Sequence, residues 1–159
     1  MSGFKIDKSF AKKLGEIGKT HARVGWGENQ HYPTGESVSM VATQDEFGNP
    51  SKHIPPRSFF RPTIDREREK LLRLMGREIK NILHGGNDVA DAFDFVGQYL
   101  AGQVKWSIHN LRFTPLAVKT VERRLKGKKQ GRSVSLKIAT PLVHTAYLVN
   151  SIVVEVKQS

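Results

Sequence analysis

The sequence predicts an α+β fold in which a small antiparallel β-sheet packs with two longer helices and several short helices. The long helices are predicted because apolar residues recur at helical spacing over residues 62–83 and again over residues 89–111. The sheet is predicted because residues 152–156 place alternate apolar side chains on one face. A chain of 159 residues is long enough for a core of its own, so we predict a single domain over residues 1–159.

The N-terminal part of the chain predicts one helix, one strand and one loop. Residues 7–18 have the pattern of an amphipathic helix, and Asp7 is a candidate N-cap. Residues 22–26 are a short strand candidate, whose natural partner is the strand at residues 152–156. The polar residues 28–36 predict an exposed loop.

A short helix is predicted over residues 37–47, followed by an arm. Ser37 is a candidate N-cap, and Gly48 can take the positive φ that ends such a helix. Residues 49–52 are expected to turn, and two adjacent prolines then restrict the backbone to extended conformations. We therefore predict an extended arm over about residues 49–62 that leads into the first long helix, with Pro62 in its first turn.

The two long helices are separated by a glycine pair and a capping residue. Gly85 and Gly86 end the first helix, and either Asn87 or Asp88 can cap the second. So short a connection is compatible with an αα-hairpin or with a bent, nearly continuous pair of helices. A third, shorter helix is predicted over residues 116–125.

One segment makes the protein basic. The net charge is +11, and eight basic residues opposed only by Glu122 contribute +7 of it. Part of this segment is predicted to be a flexible basic loop over about residues 126–137. Three hypotheses stay open: a solvated surface, non-specific contact with DNA phosphates, and docking on an acidic face of another subunit. The eight basic residues are Lys119, Arg123, Arg124, Lys126, Lys128, Lys129, Arg132 and Lys137.

The sequence contains no pattern typical of catalysis. There is no cysteine, so disulfides and thiolate nucleophiles are excluded, and the six histidines show no metal-ligand spacing. No phosphate-binding loop or nucleophile elbow is present. No apolar run approaches membrane-spanning length, and the N-terminus has no signal-peptide core. We therefore expect no enzyme activity, no cofactor, no metal site and no membrane partner.

Aromatic residues and prolines indicate a surface for other subunits. Phe59 and Phe60 are adjacent, so in an extended arm one is expected in the core and the other against a neighbour. Trp106 lies off the apolar stripe of its helix and is equally compatible with the core edge and with an interface anchor. The predicted subunit-interface residues are Ile54, Pro55, Pro56, Arg57, Phe59, Phe60, Arg61 and Trp106.

Two stretches of the chain resemble the signatures of one protein family. Asp45-Glu46-Phe47-Gly48, followed by the stretch from Ile54 to Pro62, resembles the "EFG, then IPxRPFxRP" signature of small neck and tail-completion proteins of tailed bacteriophages. These proteins are often labelled virion-morphogenesis or minor tail proteins. Residues 141–152 resemble their second signature, roughly "PLxDTGxLxxSI". The chain departs from these patterns at Ser58, His144 and Ala146.

This resemblance implies a structural role in a virion. It implies a phage or prophage protein that acts in head–tail joining, as a homo-oligomeric ring, expected to be a hexamer, between the tail and the head connector. The implied partners are other phage neck and tail proteins, with non-specific contact to genomic DNA. The implied location is the neck or tail of the virion, after assembly in the host bacterial cytoplasm.

Two other hypotheses stay open. The first is a non-specific nucleic-acid-binding module unrelated to virions, which rests on charge alone. The second is a virion-associated hydrolase, for which the sequence offers no motif. Whether the ring has six or twelve copies, and which face meets the head, is left undecided by the sequence.

Overall fold

A computed structural model describes residues 8–113, 116–129 and 146–159. Within these residues the two strands pair as one antiparallel sheet, and a 3₁₀ turn, Pro50–Lys52, follows the second helix. The predicted α+β class, with two longer helices and several short ones, is confirmed. The elements in chain order are α1 (Lys8–Lys19), β1 (Thr20–Gly25), α2 (Val38–Phe47), α3 (Phe60–Leu83), α4 (Val89–Asn110), α5 (Val118–Lys129), α6 (Tyr147–Asn150) and β2 (Val153–Gln158).

The chain divides into two compact units. The first unit comprises Met1–Val24, Ile64–Gly102 and Val154–Ser159. The second comprises Gly25–Thr63 and Gln103–Val153. The single domain predicted over residues 1–159 stays a prediction. In the part of the chain that the structure describes, no helix is long and apolar enough to cross a membrane.

The core of the first unit is built by α3 and α4, with α1 and the sheet packed against them. An added Cβ at Gly97 would lie 2.5 Å from Val154 Cγ1, so only glycine lets α4 approach β2 this closely. The buried cluster consists of Ile82, Val89, Ala92 and Phe93, against which Ile17, Ala22, Met75 and Val156 pack.

Of the two candidate N-caps for α4, Asp88 is the one that caps the helix. Asp88 Oδ1 accepts a hydrogen bond from the Ala90 N–H at 3.0 Å, as an N-cap does. The Asn87 side chain instead donates to Glu78 Oε2 at 2.7 Å, which ties the turn to α3. Gly85, at φ 84°, lies just beyond the end of α3, so the two helices are separate elements.

The second unit buries apolar residues from α2, α4 and α6. Phe59 precedes α3 and is only 1% exposed, which makes it the largest side chain buried to this extent in the described residues. Thr63 and Ser107 are also buried, and they hydrogen-bond to each other. The other buried apolar side chains of this unit are Val38, Ala42, Val104, Ile108, Leu148, Val149 and Ile152.

Two predictions about the C-terminal third need correction. Helix α5 starts and ends later than residues 116–125, so residues 126–129 of the predicted basic loop are helical. Lys and Arg are good helix formers, and a single glycine at position 127 lowers helix stability by only about 1 kcal/mol. The remaining loop residues, 130–137, lie outside the described residues. So do residues 141–145 of the second signature, whose later residues include the short helix α6, Tyr147–Asn150.

Candidate subunit interface

One buried carboxylate joins the end of α2 to the start of α3. The Glu46 side chain is 5% exposed, and its Oε2 accepts hydrogen bonds from the N–H groups of Phe59 at 2.8 Å and Phe60 at 2.9 Å. Its Oε1 accepts from the Arg61 N–H at 3.2 Å. The first N–H groups of a helix have no partner inside that helix. Glu46 therefore does for α3 what an N-cap side chain does, although it lies on a different helix.

The Arg61 side chain lies between the Glu46 carboxylate and solvent. Arg61 Nε donates to Glu46 Oε1 at 2.9 Å, and the guanidinium lies 4.5 Å from the centre of the Phe47 ring. An Arg61 terminal nitrogen also donates to Ser58 Oγ at 3.1 Å, and Ser58 Oγ donates to the Glu46 carbonyl at 2.8 Å. The Arg61 side chain is 57% exposed, so the ion pair has one buried and one exposed partner.

These contacts keep the Glu46 carboxylate charged. Burial favours its neutral form, but hydrogen bonds from Phe60, Arg61 and Phe59 favour the carboxylate more strongly. The pKa of Glu46 is therefore lower than the ordinary value for a glutamate. This makes Glu46 a pH-dependent contributor to stability.

The predicted arm is extended over only a few residues. Asn49 and Ile54 exchange both backbone hydrogen bonds, at 2.8 and 2.9 Å, and so close a tight turn. Asn49 Oδ1 accepts from the Lys52 N–H within this turn, which favours 3₁₀ geometry over an extended chain. The Arg57 N–H donates to the Asp45 carbonyl at 2.7 Å, and α3 begins at Phe60. The segment predicted as an arm over about residues 49–62 therefore folds back on the end of α2.

Replacing Gly48 by alanine is expected to lower the free energy of unfolding by about 1–3 kcal/mol. Gly48 has φ 77° and ψ 174°, a region that residues with a Cβ essentially never adopt. An added Cβ would lie 2.9 Å from both the Ile54 carbonyl oxygen and the Pro56 nitrogen, so the turn would have to move. Urea unfolding measures the change.

Gly35→Ala is the matched control for this substitution. Gly35 also has a positive φ, 88°, but an added Cβ there would meet nothing within 4 Å. Equal losses at the two positions would contradict the close backbone packing at Gly48.

Trp26 brings the two signature stretches together. Trp26 Nε1 donates to the Leu148 carbonyl, in the second signature, at 2.8 Å. Its ring meets that of Phe59, in the first signature, edge-on at 5.8 Å between centroids, and that of Phe60 at 6.1 Å. The sequence pattern predicts Trp26 as the last residue of a strand and indicates no role for it at a site, whereas β1 ends at Gly25. The only sequence signal at Trp26 is that a large, amphipathic side chain ends the strand candidate at residues 22–26.

The structure divides the predicted interface residues into three groups. Arg57 and Phe59 are buried within their own unit, so Phe59 is the member of the Phe59–Phe60 pair that enters the core, and the assignment of both residues to a subunit interface stays a prediction. One guanidinium nitrogen of Arg57 lies 3.7 Å from Asp45 Oδ1, and the Phe59 ring meets the Trp26 ring edge-on. Three residues are half-buried: Ile54, Pro55 and Phe60. Three residues are exposed: Pro56, Arg61 and Trp106.

The predicted basic residues are described only in part. Lys119 and Lys126 are exposed on α5. The backbone of α5 also carries Arg123, Arg124, Lys128 and Lys129. Arg132 and Lys137 lie outside the described residues. Six basic residues that were predicted to lie partly in a helix and partly in a loop therefore all belong to α5.

No sequence pattern indicated the exposed apolar side chains of α2 as a possible interface. Met40 is 60% exposed and Phe47 59% exposed, and residues seven apart lie on the same side of a helix. Arg61 adjoins them through its contact with the Phe47 ring. We call these three residues the α2 face. It is an apolar surface with one charged side chain, a composition typical of interface cores.

Comparisons with known proteins give no match. No family model, no curated protein and no solved structure matches this chain. Among the described residues, no group of histidine, aspartate and glutamate side chains could hold a metal ion. The resemblance to phage neck and tail-completion proteins stays a hypothesis that rests on the two signatures.

Proposed function

We propose that this protein is a structural subunit of the neck of a tailed bacteriophage or prophage, where copies form a ring that joins the tail to the head connector. The observation that carries the proposal is the position of Trp26. Its indole binds the second signature through Leu148 and packs on the first through Phe59. Two chance matches would not be expected to contact the same side chain in the fold. The contact of both signatures with Trp26 therefore supports a common origin with the phage neck and tail-completion proteins.

The signature residues have a mechanical role in this proposal. A subunit at a joint must transmit force without unfolding, so the segment beside its interface needs to be stiff. Glu46, Arg57 and Ser58 each bond the backbone or side chains of the neighbouring segment. The α2 face lies directly on this braced segment. Preorganisation of this kind lowers the entropy lost when a partner docks.

The α2 face is the surface that we assign to contact between copies. Met40 and Phe47 supply exposed apolar area, and Arg61 supplies a charge beside them. Replacing Met40 by glutamate is expected to prevent ring formation, because each contact would then bury an unpaired carboxylate. Native mass spectrometry and electron microscopy of the purified protein measure the assembly.

Leu72→Glu is the matched control for Met40→Glu. Leu72 is 67% exposed on α3 in the first unit, and the charge change is the same. We expect Leu72→Glu to assemble as the original protein does. Equal assembly by Met40→Glu and the original protein would contradict the α2 face as the contact.

The test of the function itself is a joining assay. Phage particles made without this protein are expected to accumulate as separate heads and tails, and purified protein should restore infectious particles. The Met40→Glu variant should fail to restore them, while Leu72→Glu should succeed. Joined, infectious particles in the complete absence of the protein would overturn the proposal.

Helix α5 favours non-specific nucleic-acid binding as the second candidate function. Its twelve residues carry six basic side chains and one acidic side chain. For a DNA-binding protein, affinity should fall linearly on a logarithmic salt scale, with a slope of about −0.9 per phosphate contacted. Replacing Arg123, Arg124, Lys128 and Lys129 by glutamine should then reduce both the affinity for DNA and the slope.

The control variant makes the same charge change at Lys8, Lys12, Lys19 and Arg73. An equal loss of DNA affinity in both variants would show that net charge, and not α5, accounts for the binding.

A further inference from the structure

Helix α4 carries an exposed stripe of residues that the proposed function does not use. These residues follow one another at intervals of three or four, the spacing that places side chains on one side of a helix. All of them are exposed, whereas the opposite side of α4 is buried. We call them the α4 stripe: Asp91, Phe95, Gln98, Gly102, Trp106 and His109.

Two large aromatic side chains supply the apolar area of the α4 stripe. Phe95 is 48% exposed and Trp106 is 50% exposed. The Arg77 guanidinium lies 5.8 Å from the centre of the Phe95 ring and leaves about half of that side chain open to solvent. Aromatic residues are enriched in protein interfaces, and tryptophan is enriched among the residues that contribute most to binding. The stripe therefore has the composition of a contact surface.

Gly102 lies in the middle of the stripe, where no contact within the chain requires a glycine. A Cβ added there would meet nothing within 4 Å, and a glycine inside a helix is less stable than an alanine. Gly97, by contrast, is required by its contact with Val154 in the same chain. The missing side chain at Gly102 leaves a gap in the stripe, which a side chain from a second helix can fill.

The charges beside the stripe make α4 complementary to a second copy of itself. Asp94 and Lys105 are eleven residues apart, about three full turns, so they flank the stripe on the same side. In an antiparallel pair of identical helices, positions on the same flank meet, so each Asp94 faces the other copy's Lys105. A parallel pair would instead bring like charges to the same level. Within the described residues Lys105 has no ion pair, and the antiparallel contact supplies one.

The side chains of the stripe fit the same antiparallel arrangement. The stripe is nearly symmetric about its middle, with a charged or titratable residue at each end, an aromatic residue next to it, and Gln98 and Gly102 at the centre. Antiparallel pairing places Asp91 of one copy near His109 of the other, and Gln98 opposite Gly102. The aromatic rings of the two copies then lie close enough to pack on one another.

We propose that the α4 stripe binds the α4 stripe of a second copy, which makes the free protein an antiparallel two-fold dimer. The contact is isologous, because the same residues of both copies form it. A ring that meets a head on one side and a tail on the other has two different ends, so it cannot keep two-fold axes that exchange them. We therefore assign this dimer to the protein before it enters a particle. The dimer does not depend on the ring, because the α4 stripe and the α2 face share no residue.

The test measures dimers of the Met40→Glu chain of 159 residues, in which the α2 face is altered. Sedimentation velocity over a series of concentrations is expected to show a monomer–dimer equilibrium with a dissociation constant on the order of 1–100 μM, because one helix pair buries less area than a standard interface. Rings and dimers are thus read separately, since this variant lacks the ring contact and keeps the α4 stripe. A chain that stays monomeric up to about 1 mM would overturn the proposal.

Gly102→Glu and Gly76→Glu, each made in the Met40→Glu chain, form a matched pair of variants. Both glycines are exposed within a helix, and an added Cβ meets nothing within 4 Å at either position. Gly102→Glu is expected to weaken the dimer about tenfold or more, because the contact would bury a carboxylate, while circular dichroism still shows a folded chain. Gly76→Glu lies on α3 and should leave dimerisation unchanged. Equal dimerisation of the two variants would contradict the α4 stripe as the contact.

An exchange of the flanking charges tests the antiparallel orientation. Lys105→Asp in the Met40→Glu chain should weaken the dimer about tenfold, because it places a carboxylate opposite each Asp94. Adding Asp94→Lys restores opposite charges across an antiparallel contact, so the double exchange should recover the dissociation constant. A double exchange that dimerised no more tightly than Lys105→Asp would overturn the antiparallel pairing.

Discussion

Replacing Glu46 by glutamine is expected to lower the free energy of unfolding by about 2–3 kcal/mol at pH 7. The amide loses the charge that strengthens each hydrogen bond, and its NH₂ group would point donors at the N–H groups of Phe59 or Arg61. At least one of those N–H groups would then lack its acceptor. Urea unfolding followed by circular dichroism measures the difference.

The effect of Glu46→Gln should depend on pH in a defined direction. The pKa of Glu46 is lower in the folded protein than its ordinary value of about 4.5, so the carboxylate stabilises the fold most above that value. This contribution is lost as the pH falls through the folded pKa. The difference in stability between the original protein and the variant should therefore be constant near neutral pH and shrink under acid conditions.

Glu69→Gln is the control that removes an ordinary carboxylate. The Glu69 side chain is 87% exposed and pairs with Arg73 at 3.6 Å, so its loss should change stability by less than about 0.5 kcal/mol. A difference for Glu46→Gln that grew as the pH fell would have the wrong sign for the lowered pKa. It would contradict the role assigned to the carboxylate.

Capping residues and a glycine in the sequence made three helix ends predictable. Ser37 caps α2 by accepting from the Met40 N–H, and Gly48 takes the positive φ that its position required. Asp88 likewise caps α4. Each of these features depends on a side chain and a backbone within three residues, which is the range over which sequence patterns carry direct structural information.

The role of Glu46 was not predictable by the same means. Its partners lie 13 to 15 residues further along the chain, and spacing rules for a single helix do not reach them. A glutamate next to Asp45 looks like part of a solvated helix surface. The burial of Glu46 depends on how the chain turns between Asn49 and Ile54, which is a tertiary outcome.

The error in the predicted arm has a similar cause. Pro55 and Pro56 restrict their own backbone and that of the residue before each of them to extended conformations. They do not determine which part of the protein this segment contacts. The Asn49 side chain and the Asn49–Ile54 backbone pair decide the turn, and the Asp45 carbonyl accepts from Arg57. Proline content is consistent with residues 55–59 lying outside helices and strands, but it did not predict their contacts with the end of α2.

Replacing Phe59 by alanine is expected to have the largest effect of any substitution considered, about 3–5 kcal/mol. Phe59 is 1% exposed and meets the Trp26 ring edge-on, so truncation leaves a cavity and removes an aromatic pair. Thermal unfolding followed by circular dichroism measures the loss, and Trp26 fluorescence should shift towards longer wavelength as water reaches the indole.

Phe60→Ala separates this packing role from a role between subunits. Phe60 is half-buried and lies further from Trp26, so its truncation should cost clearly less stability than that of Phe59. If Phe59 contributes through the core alone, a folded Phe59→Leu variant should still assemble as the original protein does. A Phe59→Leu variant that kept its stability but lost ring formation would show that Phe59 contacts a neighbouring copy after all, contrary to its burial here.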